Sequence, residues 1–386
     1  MSEELTYSTV APDEAPQLWE IISQSLHRSM QPGWNEHVGH RKFRAVRRKG
    51  NIIGGMGIIP MGQWFGGRVI PIGAVTSVGV APEGRGLGAA SVLMNEAVRE
   101  MRESGMAIST LFPSSARVYR SFGYERAGIK PIYDAPVKEM HSKLNHLTVV
   151  RTTETDREEM YLLYNERAKV GNGNLDRGDI LWDLILKTEG RKIFTYLVKD
   201  ADKPVGYVNF QQARSADHIR VRDMVTLTAE ASQRLLRFFA DHRTVIDTVS
   251  WNGPPNDPLV MMMDEQEGKQ VYSRDWMVRL LDVRLSLEAR GYPSDIETSL
   301  TLSIDDPLLK ENTGTWTMEV SSGKCSLTSG GKGGLSMGPR GFAPLYTSHM
   351  SPLEIKNIGL LEGPEEDLRK ATLVFNGPRP WIGDSF

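Results

Sequence analysis

The sequence predicts two successive α/β copies followed by a smaller α+β segment, and three observations carry that prediction. Residues 72–124 read as strand, glycine-rich turn, long helix, strand and short helix, the order of a phosphate-cradling βαβ unit. A strand over 220–227 running into a helix over 231–242 repeats that order without the glycines. From Glu288 onward the chain changes to short strands and turns, SLTLSIDD, GTWTMEVSSG and KCSLTSGG, ahead of two helices.

Within the first of these stretches, residues 74–80 are β-branched and apolar enough to form a strand buried on both faces, and Pro82 ends it. There follows Glu83-Gly84-Arg85-Gly86-Leu87-Gly88-Ala89-Ala90. Glycines there let the backbone approach a ligand, and the first N–H groups of the next helix have no partner within it. With the positive end of the helix dipole, they suit a pyrophosphate. Apolar residues at Leu87, Ala90, Leu93, Met94, Ala97, Val98 and Met101 predict a helix over 87–103 with one face on a sheet.

Three phosphate motifs compete for this turn. A Walker A loop needs Lys-Ser or Lys-Thr after the glycines, and neither is present. The dinucleotide fingerprint matches at Gly84, Gly86 and Ala89, but several strands precede it, Pro82 interrupts the junction, and no carboxylate closes the next strand, 107–112, to hold a ribose. The third pattern, R-x-x-G-x-[GA], runs from Arg85 through Gly86, Leu87, Gly88 and Ala89 to Ala90. It follows V-x-V-x-P (Val78, Val80, Pro82) and precedes Y-x-x-x-G-Y (Tyr119, Gly123, Tyr124). In that order and spacing the chain resembles the GNAT superfamily of acetyl-CoA-dependent N-acetyltransferases.

The composition bounds the rest. A chain of 386 residues, 40% hydrophobic and 24% charged, has an ample core and length for two or three domains. A net charge of −2 gives no electrostatic reason to capture nucleic acid or an anionic membrane. The single cysteine, Cys325, excludes a disulfide scaffold or thiolate metal site and fits a reducing cytoplasm. With no apolar run of spanning length, the expectation is a cytoplasmic protein without membrane or metal.

In chain order, a strand over 5–10 leads to a helix over 15–26 with Leu18, Ile21 and Ile22 on one face. Residues 29–40 read as a loop. The run Arg41, Lys42, Arg44, Arg47, Arg48, Lys49 alternates within a strand over 42–49 and is expected to form a solvated outer face. A hairpin over Gly50-Asn51, a turn at Gly66-Gly67 and a strand over 126–136 complete a first domain, 1–145. The second domain, 146–287, has a helix over 158–170 and strands over 193–199 and 205–212. Its turn, Thr228-Ala229-Glu230-Ala231-Ser232-Gln233, would obstruct a pyrophosphate, so this copy reads as scaffold. The third domain, 288–386, carries helices near 351–360 and 364–371.

Two GNAT-like copies, the second degenerate, and a small α+β tail together resemble the Eis (enhanced intracellular survival) family. The likeness rests on residues 78–90, on ISTLFPSSARVYRSFGYE and on the last residue, Phe386. It implies a tail resembling the sterol carrier protein fold, acetylation of primary amines on small molecules or lysine side chains, and a homo-oligomer, commonly a hexamer. It implies Tyr119 as general acid and the terminal carboxylate of Phe386 as general base. Val78, Gly79 and Val80 would bind pantetheine, Arg85, Gly86, Leu87, Gly88, Ala89, Ala90 and Ser91 the pyrophosphate, and Ser114 and Ser115 would lie near the coenzyme. Trp34 and Glu36 would border the acceptor or, equally, pin a loop and face solvent. A family member carries an acid next to its terminal phenylalanine; Ser385 stands there in this chain, and Asp384, one residue further back, is the acid that would face a cationic substrate.

The chemistry suits these groups. An alkylammonium must lose a proton before it attacks, and the departing thiolate must gain one. A phenol of pKa about 10 stays protonated at neutral pH and can donate, whereas a terminal carboxyl of about 3.5 is a weak base unless burial raises it. Tyr124 rivals Tyr119 as acid, and a frayed tail rivals the role of Phe386. A lysine acetyltransferase and a carrier of hydrophobic ligands are the competing functions.

Overall fold

The computed structural model describes residues 4–26, 34–144, 146–152, 156–187, 192–212 and 217–386. The chain opens with β1 (Leu5–Thr9), α1 (Ala15–Leu26), α2 (Trp34–Val38), β2 (Phe43–Arg48), β3 (Asn51–Phe65), β4 (Arg68–Val80), α3 (Ala89–Glu103), β5 (Ile108–Leu111) and α4 (Ala116–Arg120). Next come β6 (Glu125–Pro136), β7 (Thr148–Arg151), α5 (Arg157–Lys169), β8 (Leu175–Asp176), α6 (Asp179–Leu186), β9 (Phe194–Asp200) and β10 (Lys203–Gln212). After these lie β11 (His218–Thr226), α7 (Ala229–Ala240), β12 (Thr248–Asn252), α8 (Pro258–Met261) and β13 (Lys269–Leu280). The tail holds α9 (Val283–Ala289), β14 (Thr298–Ile304), β15 (Gly314–Ser321), β16 (Lys324–Ser329), β17 (Leu335–Met337), α10 (Pro339–Tyr346), α11 (Pro352–Asn357), β18 (Leu361–Glu362) and α12 (Glu365–Val374).

These elements form two compact units, residues 1–127, 276–376 and 386 in the first and residues 128–275 and 377–385 in the second. In the first unit the strand order is β1-β2-β3-β4-β5, and Met277–Leu280 of β13 adds antiparallel to β5. Strands β4 and β5 run parallel, Ile72–Val75 beside Ile108–Leu111, with α3 as their crossover. Leu93, Met94, Ala97, Val98 and Met101 of α3 are fully buried against Met56, Leu111 and Tyr124. Each of the larger side chains contributes about 1.5–3 kcal/mol on leaving water. The helix packs closely on Gly73, where a Cβ would lie 2.2 Å from the Met101 sulfur and displace that side chain. The tail forms its own sheet in the same unit, ordered β16-β15-β14-β17-β18.

The second unit repeats the plan, with strands ordered β6-β12-β11-β10-β9-β7, β11 parallel to β12 and α7 between them in sequence. Leu235, Leu236 and Phe239 of α7 pack on Val208, Phe210, Val221 and Val249. The likeness of α7 to α3 seen in the sequence is therefore a likeness of fold.

Several elements differ from expectation. Trp34–Val38 is helical where a loop was expected, while residues 29–33 and the Glu36 side chain lie outside the described residues. The long helix starts at Ala89, and Leu87 stays 40% exposed in the turn. The basic strand is not a solvated face throughout. The Arg44 guanidinium chelates Glu100, with Nε 2.9 Å from both carboxylate oxygens, and Arg47 Nη2 donates to Glu14 at 2.6 Å. Strand β13 and helix α10 carried no sequence expectation. Among the described residues, no helix is long and apolar enough to cross a membrane, and no group of three or more His, Cys, Asp or Glu could hold a metal ion.

Candidate active site

A parting of two parallel strands builds the site in the first unit. Pairing between β4 and β5 ends at Val75 and Leu111, yet β4 continues to Val80, paired among the described residues with β3. A bulge lies in that extension, since Gly55 and Gly57 face Gly79 and Thr76, and Ser77 takes the left-handed conformation at φ 56°. Bulges of this kind bend a strand and re-aim the residues beyond them, here Val78, Gly79 and Val80. Ser25 of α1 donates its hydroxyl to the Val80 carbonyl at 2.8 Å and anchors the strand end. No sequence signal pointed to Ser25.

Beyond Ala81 a single 3-10 turn, Pro82–Gly84, leads into Arg85, Gly86, Leu87 and Gly88, all exposed. Gly86 and Gly88 have φ of 77° and 83°, and a Cβ on either would meet nothing within 4 Å. Their need for glycine is thus conformational, and the space before them is open. Gly88 is the N-cap of α3 and offers no side-chain hydrogen bond to the first turn, where Ala89 is buried, Ala90 half-buried and Ser91 exposed. By contrast, Thr228 caps α7 by accepting from the Ala231 N–H at 3.1 Å. One copy starts its helix without a side-chain cap and the other satisfies its first turn internally. An open, glycine-lined helix N-terminus fits a pyrophosphate, so the residues present suit the diphosphate of a coenzyme A thioester.

Past β5, Ser114 and Ser115 are exposed, and Ser115 precedes α4. Tyr119 on α4 is buried, with its ring edge-on to Tyr124 at 6.2 Å. Tyr124 is fully buried, and its hydroxyl donates to Ser109 Oγ at 2.8 Å, while Ser109 donates to the Gly73 carbonyl. Burial pushes the Tyr124 phenol well above its ordinary value. Of the two tyrosines, Tyr124 is thus committed to the core. The glycine between them is required twice over, since Gly123 has φ 82° and a Cβ there would lie 2.9 Å from Arg279 Nε. Arg279 is itself held by Asp306, both carboxylate oxygens 2.6 Å from Nη2 in a fully buried pair. The end of α4 is fixed by Glu125, which accepts from Arg120 at 2.8 Å and from Arg340 at 2.9 Å.

Phe386 belongs to this same unit, its ring 5.4 Å from that of Phe112, the residue after β5. Asp384 is buried in the second unit and paired with Arg177. Trp34, only 6% exposed, is a packed residue of α2. Strand β4, the glycine turn, Ser114, Ser115, Tyr119 and Phe386 all belong to the first unit.

Comparison with known proteins bears on the family and the fold of each part. Residues 6–127 and 173–280 each match an acetyltransferase (GNAT) domain, and residues 283–383 match a sterol carrier protein domain. The N-acetyltransferase Eis of Mycobacterium tuberculosis is 26% identical, and the match spans 62% of this chain and 62% of the length of that relative. A GCN5-related N-acetyltransferase from Kribbella flavida superposes with a TM-score of 0.89 at 26% identity, over 100% of this chain and 99% of the other. Another, from Anabaena variabilis, superposes with a TM-score of 0.96 at 35% identity, over 99% of this chain and 100% of its own. With an open glycine turn in one copy, a capped turn without glycine in the other and a carrier-like tail following in sequence, the chain belongs to the GCN5-related N-acetyltransferases and is an Eis-like member of that family.

Proposed function

We propose that the protein is an N-acetyltransferase that moves an acetyl group from acetyl-CoA to a primary amine by direct attack. The observation that carries this reading is the Phe386 ring against Phe112, which sets the last residue beside the end of β5, in the unit that holds the open glycine turn. The exposed amides of Arg85 to Ser91 hold the pyrophosphate, and the backbone of Val78, Gly79 and Val80 holds the pantetheine. Bound there, acetyl-CoA supplies a thioester carbonyl open to an amine.

The terminal carboxylate of Phe386 takes a proton from the substrate ammonium. The amine nitrogen then bonds to the carbonyl carbon, the C–S bond breaks, and the Tyr119 phenol returns a proton to the departing thiolate. Backbone N–H groups around Val80 polarise the carbonyl as charge develops on its oxygen. Trp34 and Glu36 are left to the acceptor side, and Asp384 to the tail. On this reading the chain divides into domains 1–145, 146–287 and 288–386 and acts in the cytoplasm as a homo-oligomer.

The test is incubation of the purified protein with acetyl-CoA and a panel of small amines and lysine-bearing proteins, with release of the coenzyme thiol as readout. Turnover on small amines supports the reading. Turnover on proteins alone makes it a lysine acetyltransferase, and no affinity for acetyl-CoA makes it a carrier of hydrophobic ligands.

A further inference from the structure

Tyr119 stands on a helix too small to hold itself in place. Helix α4 has five residues, its N-cap Ser115 makes no side-chain hydrogen bond to the first turn, and Tyr119 is its one buried residue. So short a helix has no stability of its own in water, and its neighbours must fix it. Two ion pairs of the first unit, each with one member from the tail, brace the chain just past α4.

The first brace lies under Gly123. Arg279 of β13 is in register with Ser109 of β5, which accepts from the Tyr124 hydroxyl. Its Nε, Cζ and Cδ would lie 2.9, 3.0 and 3.1 Å from a Cβ at Gly123. The pair that Arg279 forms with Asp306 is fully buried, and the tail holds Asp306 in turn. The N–H groups of Leu308 and Leu309 donate to Oδ1 at 3.1 and 3.0 Å, and Asn312 Nδ2 donates to Oδ2 at 3.1 Å. Leu309, 2% exposed, also joins the apolar cluster that contains Tyr119, Phe122 and Tyr124. One tail segment, 306–312, thus supplies both a charge and apolar packing to the surroundings of α4.

The second brace closes on Glu125, the residue after Tyr124. Its buried carboxylate accepts from Arg120, the last residue of α4, and from Arg340 of α10 in the tail. Arg340 therefore reaches α4 through one shared acid. A misplacement of about 1 Å in a reacting group can cost about 10²-fold in rate, and these four charged side chains resist such a shift.

We propose that Asp306 and Arg340, acting through Arg279 and Glu125, are positioning residues for Tyr119, and that the carrier-like tail serves acetyl transfer by holding the general acid. The inference rests on the assignment of Tyr119 as that acid. It gives the tail a use that needs no hydrophobic ligand.

The test uses the full chain with Arg340→Gln and, separately, Asp306→Asn, each alone and combined with Tyr119→Phe. Arg340→Gln leaves Glu125 its bonds from Arg120 and the Arg126 N–H and so keeps the fold; it decides the matter if Asp306→Asn does not fold. Three quantities are measured: kcat on the best amine of the panel above, calorimetric affinity for acetyl-CoA, and hydrogen exchange of the Tyr119 and Phe122 amides in the free protein. With Tyr119 in place, kcat is expected to fall at least threefold in Arg340→Gln and at least tenfold in Asp306→Asn. Acetyl-CoA affinity stays within twofold, and the two amides exchange at least threefold faster. In the Tyr119→Phe chain the same replacements change kcat less than twofold, because no acid is left to position. Parental kcat and parental exchange in the folded variants overturn the proposal, and so do equal falls in kcat with and without Tyr119→Phe, which mark a merely structural role. Unchanged turnover in Tyr119→Phe alone removes the acid assignment itself and the positioning role with it.

Discussion

Replacing Gly88 by alanine separates a turn built for an anion from one built only for a helix. Gly88 has φ 83°, and an added Cβ would meet no atom within 4 Å. The cost to folding is therefore conformational, about 1–2 kcal/mol for one L-residue held in the left-handed region. Gly105, just past the other end of the same helix, is the matched control, with φ 76° and equally empty space around it. Gly105→Ala carries the same conformational cost with no ligand nearby. If the amides after Pro82 hold a pyrophosphate, the Gly88 methyl enters the space that the ligand needs, and coenzyme affinity falls at least tenfold, about 1.4 kcal/mol. Denaturant unfolding gives the stability of both variants and calorimetric titration with acetyl-CoA gives their affinity. Equal stability losses with unchanged affinity in both would refute the assignment of the turn.

Three further outcomes are expected. Tyr119→Phe should lower kcat about 10²-fold or more and leave acetyl-CoA affinity within twofold, measured by single-turnover kinetics and titration, since only a proton donor is lost; unchanged turnover would remove Tyr119 from the chemistry. Thr228→Ala should cost about 1 kcal/mol in denaturant unfolding, the worth of a lost helix cap, without touching coenzyme binding. Burial alone would raise the carboxyls of Glu100 and Glu125. Hydrogen bonds from Arg44 and Tyr7 to the first, and from Arg120, the Arg126 N–H and Arg340 to the second, outweigh it and hold both below the usual range. The unfolded chain then binds more protons, so these groups stabilise the fold above about pH 4.5 and that stability is lost as pH falls through their folded values. Glu125→Gln should flatten the acid limb of a stability–pH curve, and an unaltered limb would contradict the sign.

What the sequence disclosed and what it hid divide along sequence distance. Helix α1, Ala15–Leu26, is legible in the spacing of Leu18, Ile21 and Ile22, signals that lie within two turns. The glycine turn was equally local, and its missing counterpart before α7 was visible as Thr228. Strand β13 was not seen because KQVYSRDWMVRL mixes exposed and buried positions, and only Met277–Leu280 pair with β5, well over a hundred residues away. Helix α10 hid behind Pro339, Gly341 and Pro344, although Pro339 stands at the helix start where proline is tolerated. The role of Arg44 depended on Glu100, 56 residues on, so alternation alone assigned it to solvent. Likewise nothing near Gly123 announces Arg279, whose guanidinium fills the place of its side chain.

The account rests on the last carboxylate acting as base, and extending the chain by one glycine after Phe386 tests that most directly. The extension moves the carboxylate by one residue and leaves the Phe386 ring free to pack on Phe112. The account predicts loss of amine acetylation, with acetyl-CoA affinity and melting temperature unchanged. Parental turnover in the extended chain would contradict it.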